Sequence, residues 1–299
     1  MWKTNKVLAL CLVLLLTLLL VLSACASAQV SALSDQALIS DQAMTIYFID
    51  VGQADSTLVV CDGAAMLIDG GNAADSNLIY TFLRKHDITH LDYIVATHPH
   101  EDHVGGLAGA LHYASVGIAY SPVTEYDTRA FASFVRYLDN QGVSLTIPKP
   151  GDTFMLGSAT VDILAPVQTY ASPNNSSIVL RISHGANRFL FTGDAEREAE
   201  ADILEQAYDL SATVLHVGHH GSDTSTTYPF LREIMPTYAV ISCGTGNSYG
   251  HPHENLLSRL RDADVTLYRT DLQGDIVCVS DGKTVAFTTA RNGDIQTNP

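Results

Sequence analysis

Three imidazoles and two carboxylates fall within the seven residues Thr97-His98-Pro99-His100-Glu101-Asp102-His103. Imidazole suits zinc, copper, iron and nickel, and carboxylate suits harder ions such as manganese. The mixed set therefore fits Zn²⁺, Mn²⁺ or Fe. Without an ion, so dense a cluster carries a desolvation and charge cost that is hard to tolerate. A single histidine near a strand end is ordinarily structural or solvated, and His86, His90, His112 and His184 are read that way.

The elements around the cluster must aim it. Leu91 to Ala96 reads as a short apolar strand, and Val104-Gly105-Gly106 as the entry to a helix. The cluster thus sits where a strand gives way to a loop, the place where α/β proteins present functional side chains. His98 and His100 alternate in an extended segment and point the same way. Asp102 and His103 are adjacent and diverge, which yields two ligand pairs. Asp194 ends an apolar strand through Phe191-Thr192-Gly193, as a ligand or as the N-cap of a helix over 195–210. His219-His220 also ends a strand. Adjacent side chains do not easily serve one ion, so one of them ligates and the other contacts substrate or supports a ligand. His216 belongs to the core or behind a ligand. His251, in the Gly-rich loop Tyr249-Gly250-His251-Pro252-His253, contacts the scissile group, protonates a leaving oxygen, or merely bonds backbone.

His98-x-His100-x-Asp102-His103 resembles the signature of the metallo-β-lactamase superfamily, a set of mostly hydrolytic metalloenzymes. Phe48-Ile49-Asp50-Val51-Gly52-Gln53-Ala54-Asp55-Ser56, Phe191-Thr192-Gly193-Asp194, Val217-Gly218-His219-His220-Gly221-Ser222 and Tyr249-Gly250-His251-Pro252 are similar to the hydrolase domain of the ComEC family of competence DNA-uptake proteins. The resemblance runs from about Met44 to about Ala290, and the chain has no room for that family's multi-span channel. It implies an α/β fold, the four-layer αββα sandwich, and two divalent metal ions, Zn²⁺ or Mn²⁺. Implied ligands are His98, His100, Asp102, His103, Asp194 bridging both ions, and His219, preferred over His220. His220 and His251 join Asp102 as catalytic candidates. Asp50, Gln53, Asp55 and Asp69 are expected to orient the ligating histidines. Many superfamily members carry a further histidine before the Thr-Gly-Asp turn. Here that stretch is Ser172-Pro173-Asn174-Asn175-Ser176-Ser177, so Asn175, or its neighbour Asn174, is left to offer a weak amide oxygen.

Both ends of the chain lie outside this pattern. Lys3 and Lys6 precede an apolar run from Val7 to Leu22, and small residues follow. That is the layout of a secretory signal, shorter than a typical membrane span. Leu22-Ser23-Ala24-Cys25 resembles a bacterial lipobox with Cys25 as the lipidated residue; the alternative is ordinary cleavage near Ala26 or Ala28. The expected division is a leader at 1–24, a tether at 25–43, one domain at 44–290 and a polar tail at 291–299. The expected location is extracytoplasmic, at the cell membrane through the lipid anchor alone, and no protein partner can be deduced. Cys61, Cys243 and Cys278 are widely spaced and form no Cys-x-x-Cys, which argues against a thiolate zinc site and suggests small buried residues.

The 299 residues carry a formal net charge of −16, and no Lys/Arg-rich stripe appears. That weighs against tight binding of a nucleic acid but not against slow hydrolysis of its phosphodiesters. The pattern predicts strands over 44–50, 56–61, 64–69, 178–183 and 188–192, helices over 75–86, 127–141 (with Asp127 as cap) and 254–263, and closing strands over 265–269, 275–280 and 284–288. The expected activity is metal-dependent hydrolysis of a small-molecule or nucleic-acid phosphodiester by water activated between two ions. One alternative is hydrolysis of carbon-centred esters, lactones or amides. Another is a non-catalytic, surface-tethered binding module, against which the intact ligand set argues.

Overall fold

The computed structural model describes residues 43–291. The expected leader, Cys25, the tether up to residue 42 and the tail from residue 292 lie outside the described residues. Among the described residues, no helix is long and apolar enough to cross a membrane.

Runs of β-branched and apolar residues build two sheets. β1 (Met44–Phe48), β2 (Thr57–Cys61) and β3 (Ala64–Ile68) form an antiparallel meander. Past the helix α1 (Ser76–Lys85), β4 (His90–Val95) pairs in parallel with β3. A short helix α2 (Glu101–Val104) and then α3 (Leu107–Tyr113) lead to β5 (Ser115–Tyr120), parallel to β4. After α4 (Arg129–Asn140), β6 (Leu145–Thr146) closes that edge.

The second sheet opens with β7 (Thr153–Leu156), β8 (Ala159–Ala165), β9 (Val179–His184) and β10 (Asn187–Phe191), all antiparallel. Through α5 (Arg197–Glu205), β11 (Val214–His216) is laid parallel to β10. Then α6 (Tyr228–Ile234), β12 (Tyr238–Ile241), α7 (Glu254–Asp262) and β13 (Thr266–Arg269) extend the parallel part. A turn of helix, α8 (Thr270–Gln273), returns the chain to the first sheet as β14 (Ile276–Ser280) and β15 (Val285–Thr289). The orders are β15-β14-β1-β2-β3-β4-β5-β6 and β13-β12-β11-β10-β9-β8-β7.

Side-chain alternation decides what fills the space between the sheets. Met44, Ile46, Phe48, Val59 and Met66 of the first sheet pack with Val161, Ile163, Leu180, Phe189 and Phe191 of the second. The Phe48 and Phe191 rings stack there, with centroids 6.2 Å apart. The opposite face of the first sheet, with Leu58, Leu67 and Ile94, is covered by Ile79, Leu83, Leu107, Phe131 and Phe134 from α1, α3 and α4. Ala199, Ile203, Phe230, Leu231 and Leu256 from α5 to α7 cover Leu190, Leu215 and Ala239 of the second. The result is the expected αββα sandwich, with sheets apolar on both faces; each large aliphatic side chain buried this way contributes about 1.5–3 kcal/mol.

Local differences from the sequence reading have local causes. The cap of α4 is Thr128 rather than Asp127: the Thr128 hydroxyl accepts from the Phe131 amide at 3.3 Å. The helix expected over 195–210 spans only Arg197–Glu205, and Ala207 just beyond it takes a positive φ of 54°. Glu101, Asp102 and His103 lie in helix α2 rather than in a loop, so helical geometry sets their divergence.

The helix layer that carries α2 is packed closely. A Cβ on Gly109 of α3 would lie 1.9 Å from the backbone oxygen of Ser76, the first residue of α1. Backbone cannot yield to this as a flexible side chain could. Gly109→Ala should therefore lower stability by about 1–3 kcal/mol in chemical denaturation. An unchanged midpoint would mean that α1 and α3 separate freely.

Candidate metal centre

Three chain segments converge beyond the carboxyl ends of their strands. β4 is followed by Thr97 to His103, β10 by Thr192-Gly193-Asp194, and β11 by Val217 to Gly221. His98, His103, Asp194 and His220 are buried, and His100 and Asp102 are half-buried.

Asp194 is the centre of the arrangement. Its Oδ1 lies 3.3 Å from His103 Nε2 and 3.7 Å from His220 Nε2. Its Oδ2 lies 3.6 Å from His98 Nε2 and 3.6 Å from His219 Nε2. His98 Nε2 is 3.0 Å from His100 Nδ1, and His220 Nε2 is 3.3 Å from Asp102 Oδ2. Asp194 is not the cap of α5, whose N-cap is Glu196. Its backbone amide donates to Ser177 Oγ at 3.0 Å, which leaves the carboxylate to the imidazoles.

The adjacent histidines, of which only one was expected to ligate, with His219 preferred, both approach this carboxylate. His219 (φ 54°, ψ 46°) and His220 (φ 52°, ψ 24°) are both left-handed, and their side chains separate onto different oxygens of Asp194. His220 is the deeper of the two and lies in the same group as Asp102 and His103. Left-handed conformations cost non-glycine residues on the order of 1–3 kcal/mol each and persist where the surroundings impose them. Here the His219 amide donates to Gly193 O at 3.1 Å, and Ser222 N donates to His219 O at 2.8 Å.

Behind the ligating atoms stands a ring of partners. Asp69 holds His103 Nδ1 at 2.8 Å and is itself fixed by the Thr97 amide and hydroxyl, at 2.8 and 2.7 Å. Asp55 Oδ1 lies 3.2 Å from His220 Nδ1 and 3.8 Å from His216 Nε2, and His216 also meets Ser242 Oγ at 2.9 Å. Glu196 and Thr224 flank His219 Nδ1 at 3.4 and 3.3 Å. The sequence reading missed these two; only the spacing of Glu196, two residues after Asp194, hints at the first.

Three expectations fail here. Asp50 touches no histidine: it accepts from the Gly52 amide at 3.3 Å and pairs with Arg291, tying down a loop. Gln53 supports His251 rather than a ligand, with Nε2 3.3 Å from His251 Nδ1 and Oε1 accepting from Gly244 N at 3.0 Å. Asn175 is engaged structurally, its Oδ1 accepting from Glu196 N and its Nδ2 donating to Glu198, both at 3.0 Å. The neighbouring Asn174 is the residue that faces the site. Its Oδ1 is buried without a hydrogen-bond partner, and the residue lines the cavity over the cluster.

That cavity measures about 350 Å³ and is lined by Gln53, His100, Glu101, Asp102, Asn174, Asp194, His219, His220, Tyr249 and His251, with no lysine or arginine. Burial opposes charge throughout, but Asp194, His103 and His220 hold one another ionised. Burial would push Asp194 up, yet His103, His220 and His98 keep it well below the carboxylate range. Burial would lower His103, and Asp194 and Asp69 hold it well above the imidazole value. His220 is raised in the same way by Asp194 and Asp55. His98 is pushed well down, by burial and then by the neighbouring His103.

The donor set fits a divalent cation. His103 Nε2, Asp194 Oδ1 and His220 Nε2 are buried atoms with no hydrogen-bond partner, an arrangement that needs a ligand. Two donors each about 2.1 Å from a tetrahedral ion sit roughly 3.4 Å apart. The six separations above, from 3.0 to 3.7 Å, bracket that value.

A profile of the metallo-beta-lactamase superfamily matches residues 49–245. The chain belongs to that superfamily. ComE operon protein 3 of Bacillus subtilis is 30% identical over 247 residues, covering 76% of this chain and 32% of that protein. Competence protein ComA of Neisseria gonorrhoeae is 30% identical over 79% of this chain and 32% of its own length. Recombination protein 2 of Haemophilus influenzae is 30% identical over 76% of this chain and 28% of its own. The chain thus spans about a third of the length of these relatives. Among solved structures, the metallo-beta-lactamase fold protein YhfI from Bacillus subtilis superposes with a TM-score of 0.54 at 12% identity, over 80% of this chain and 100% of that one. The E377D mutant of the hydroxylase CmlA gives 0.51 at 15% identity, over 78% of this chain and 53% of that one.

The ionisation pattern has a measurable consequence. His103 and His220 stand above the imidazole value in the metal-free superfamily member, so both hold protons at neutral pH and must lose them to ligate. Metal binding at pH 7 should therefore release protons, and apparent affinity should rise with pH. Calorimetry in buffers of different ionisation enthalpy reads this. Binding without proton release would contradict the pattern.

Proposed function

We propose that this superfamily member is a phosphodiesterase that works with two divalent ions, Mn²⁺ or Zn²⁺, and that its substrates include nucleic-acid strands. One observation carries the reading: a single buried carboxylate, Asp194, divides two groups of ligands at the floor of an open cavity. On Oδ1 stand His103, His220 and, through His220, Asp102; on Oδ2 stand His98 and, through His98, His100. When bound, a pair of ions supplies an activated water and neutralises charge on the attacked and leaving oxygens of a phosphodiester. Relatives named for competence and recombination support a nucleic-acid substrate.

The remaining work falls to the chain. Asp69 holds His103 Nδ1, and the Ser242 carbonyl accepts from His220 Nδ1 at 3.1 Å with Asp55 Oδ1 3.2 Å from the same nitrogen, so that Nε2 of each faces the centre. Gln53 sets His251. Its carbonyl oxygen is committed to Gly244 N, so its amide nitrogen donates to His251 Nδ1 and leaves the proton on Nε2. Burial, with His253 and His219 nearby, lowers the His251 pKa to about 4. His251 is thus neutral at any pH above about 5 and serves as a hydrogen-bond donor to a substrate oxygen, not as the acid that protonates the leaving group. With no lysine or arginine lining the cavity, recognition of phosphate falls to the ions and to such neutral donors.

The apolar run from Val7 to Leu22 and the lipobox-like Leu22-Ser23-Ala24-Cys25 support a reading in which the chain is extracytoplasmic and lipid-anchored. There the enzyme would meet strands or nucleotides outside the cell.

Purified protein with Mn²⁺ or Zn²⁺ should hydrolyse bis-p-nitrophenyl phosphate and single-stranded DNA, and Asp102→Ala should abolish both. Two ions bound but no phosphodiester cleaved would redirect the assignment to carbon-centred esters or amides. In the same assay His251→Ala should lower kcat by about 10²-fold, the scale of one well-placed donor, with metal content unchanged. Loss of metal in that variant would make His251 a ligand instead.

A further inference from the structure

We infer that His219 and His220 are both metal ligands, one for each ion, and that His219 supplies the imidazole that the Ser172 to Ser177 stretch lacks. The inference rests on the two-ion reading above and goes beyond it, because it assigns the ligand set of each ion.

The geometry treats His219 as it treats the accepted ligands. Its Nε2 lies 3.6 Å from Asp194 Oδ2, the same separation as His98 Nε2 from that oxygen. The other ring nitrogen is held from behind by Glu196 Oε1 at 3.4 Å and Thr224 Oγ1 at 3.3 Å. This repeats the pattern at His103, where Asp69 stands on Nδ1 and Asp194 on Nε2, and at His220, where Asp55 does so. A carboxylate behind one ring nitrogen and an ion before the other is how proteins orient ligating histidines.

The backbone supplies a second, independent argument. Adjacent side chains on an extended or helical segment cannot address two sides of one carboxylate. Two successive left-handed residues can, and His219 and His220 are two successive left-handed residues that are not glycine. The strain divides the pair between Oδ1 and Oδ2. The Ser172 to Ser177 stretch supplies no imidazole: Asn175 is turned to Glu196 and Glu198, and only the neutral amide oxygen of Asn174 faces the cavity. One ion is then held by His98, His100, Asp194 and His219, the other by Asp102, His103, Asp194 and His220. The side chain of His219 is 22% exposed and that of Asp102 is 34% exposed, so each set has a member open to the cavity.

The test is metal occupancy, read without turnover. The full chain and its His219→Ala, His219→Gln and His220→Ala variants are titrated with Mn²⁺, with bound metal counted by mass spectrometry and coupling followed by electron paramagnetic resonance. Wild type should take two ions with an exchange-coupled spectrum. Both His219 variants should retain one ion with an uncoupled six-line spectrum and bind the other more than about 100-fold more weakly, beyond the loss typical of an outer partner. His220→Ala should lose the opposite ion. Two ions held at wild-type affinity in both His219 variants would overturn the assignment and leave the two-ion reading intact. A wild-type chain that saturates at one ion would overturn both.

Discussion

A buried carboxylate surrounded by imidazoles is the constraint on which this molecule depends. Asp194 is 2% exposed, and removing an unpaired carboxylate from water costs several kcal/mol. Four imidazole nitrogens within 3.7 Å offset that cost, and they come from the segment after β4, from α2 and from the turn after β11. Neither sheet could build the group alone. The first contributes His98 and His103, and the second contributes Asp194, His219 and His220. The apolar layer between the sheets, with Phe48 against Phe191, is what keeps the two halves in register.

The same demand explains where the backbone is forced. His219 and His220 take conformations that a helix or strand would forbid, and they do so next to the most heavily bonded part of the site. Gly193, with φ 49°, lies against Thr97 and Ser177, and its carbonyl receives the His219 amide. Thr97 meanwhile anchors Asp69, which holds His103. Each strained position is therefore fixed by a residue that also orients a ligand. Relaxing one would displace the other, so the strain is retained.

Much of the centre could be read from sequence because its ligands are close in sequence. His98, His100, Asp102 and His103 share one turn of chain, and their spacing alone places them on one ion cluster. Asp194 was legible as a polar residue ending an apolar strand. The αββα layering was implied by the family resemblance, and the apolar runs of strand and helix length agreed with it. What escaped was set by torsion angles and by distant partners. The roles of His219 and His220 depend on two positive φ values that no residue type announces. Asn174 and Asn175 are chemically identical, and only the backbone after residue 172 decides which one turns to Glu196 and which to the cavity. Asp50 and Gln53 sit in a motif beside Asp55 yet serve Arg291 and His251, because the turn after β1 points them away from the histidines.

Charge gives this centre its final character. The chain carries a net charge of −16, and the cavity is lined by imidazoles, amides and three acids, Glu101, Asp102 and Asp194, without a fixed cation. A polyanion approaching such a surface is repelled at long range, and screening by salt weakens that repulsion. Proteins that bind nucleic acids through lysine and arginine lose affinity as salt rises, because neutralised phosphates release counterions. Here the cavity lining offers no lysine or arginine, so the long-range field of the chain opposes a polyanion instead of drawing it in. Positive charge brought to the donor set at the cavity floor would reverse that sign locally, while the field of the acidic chain still governs the approach of an anion.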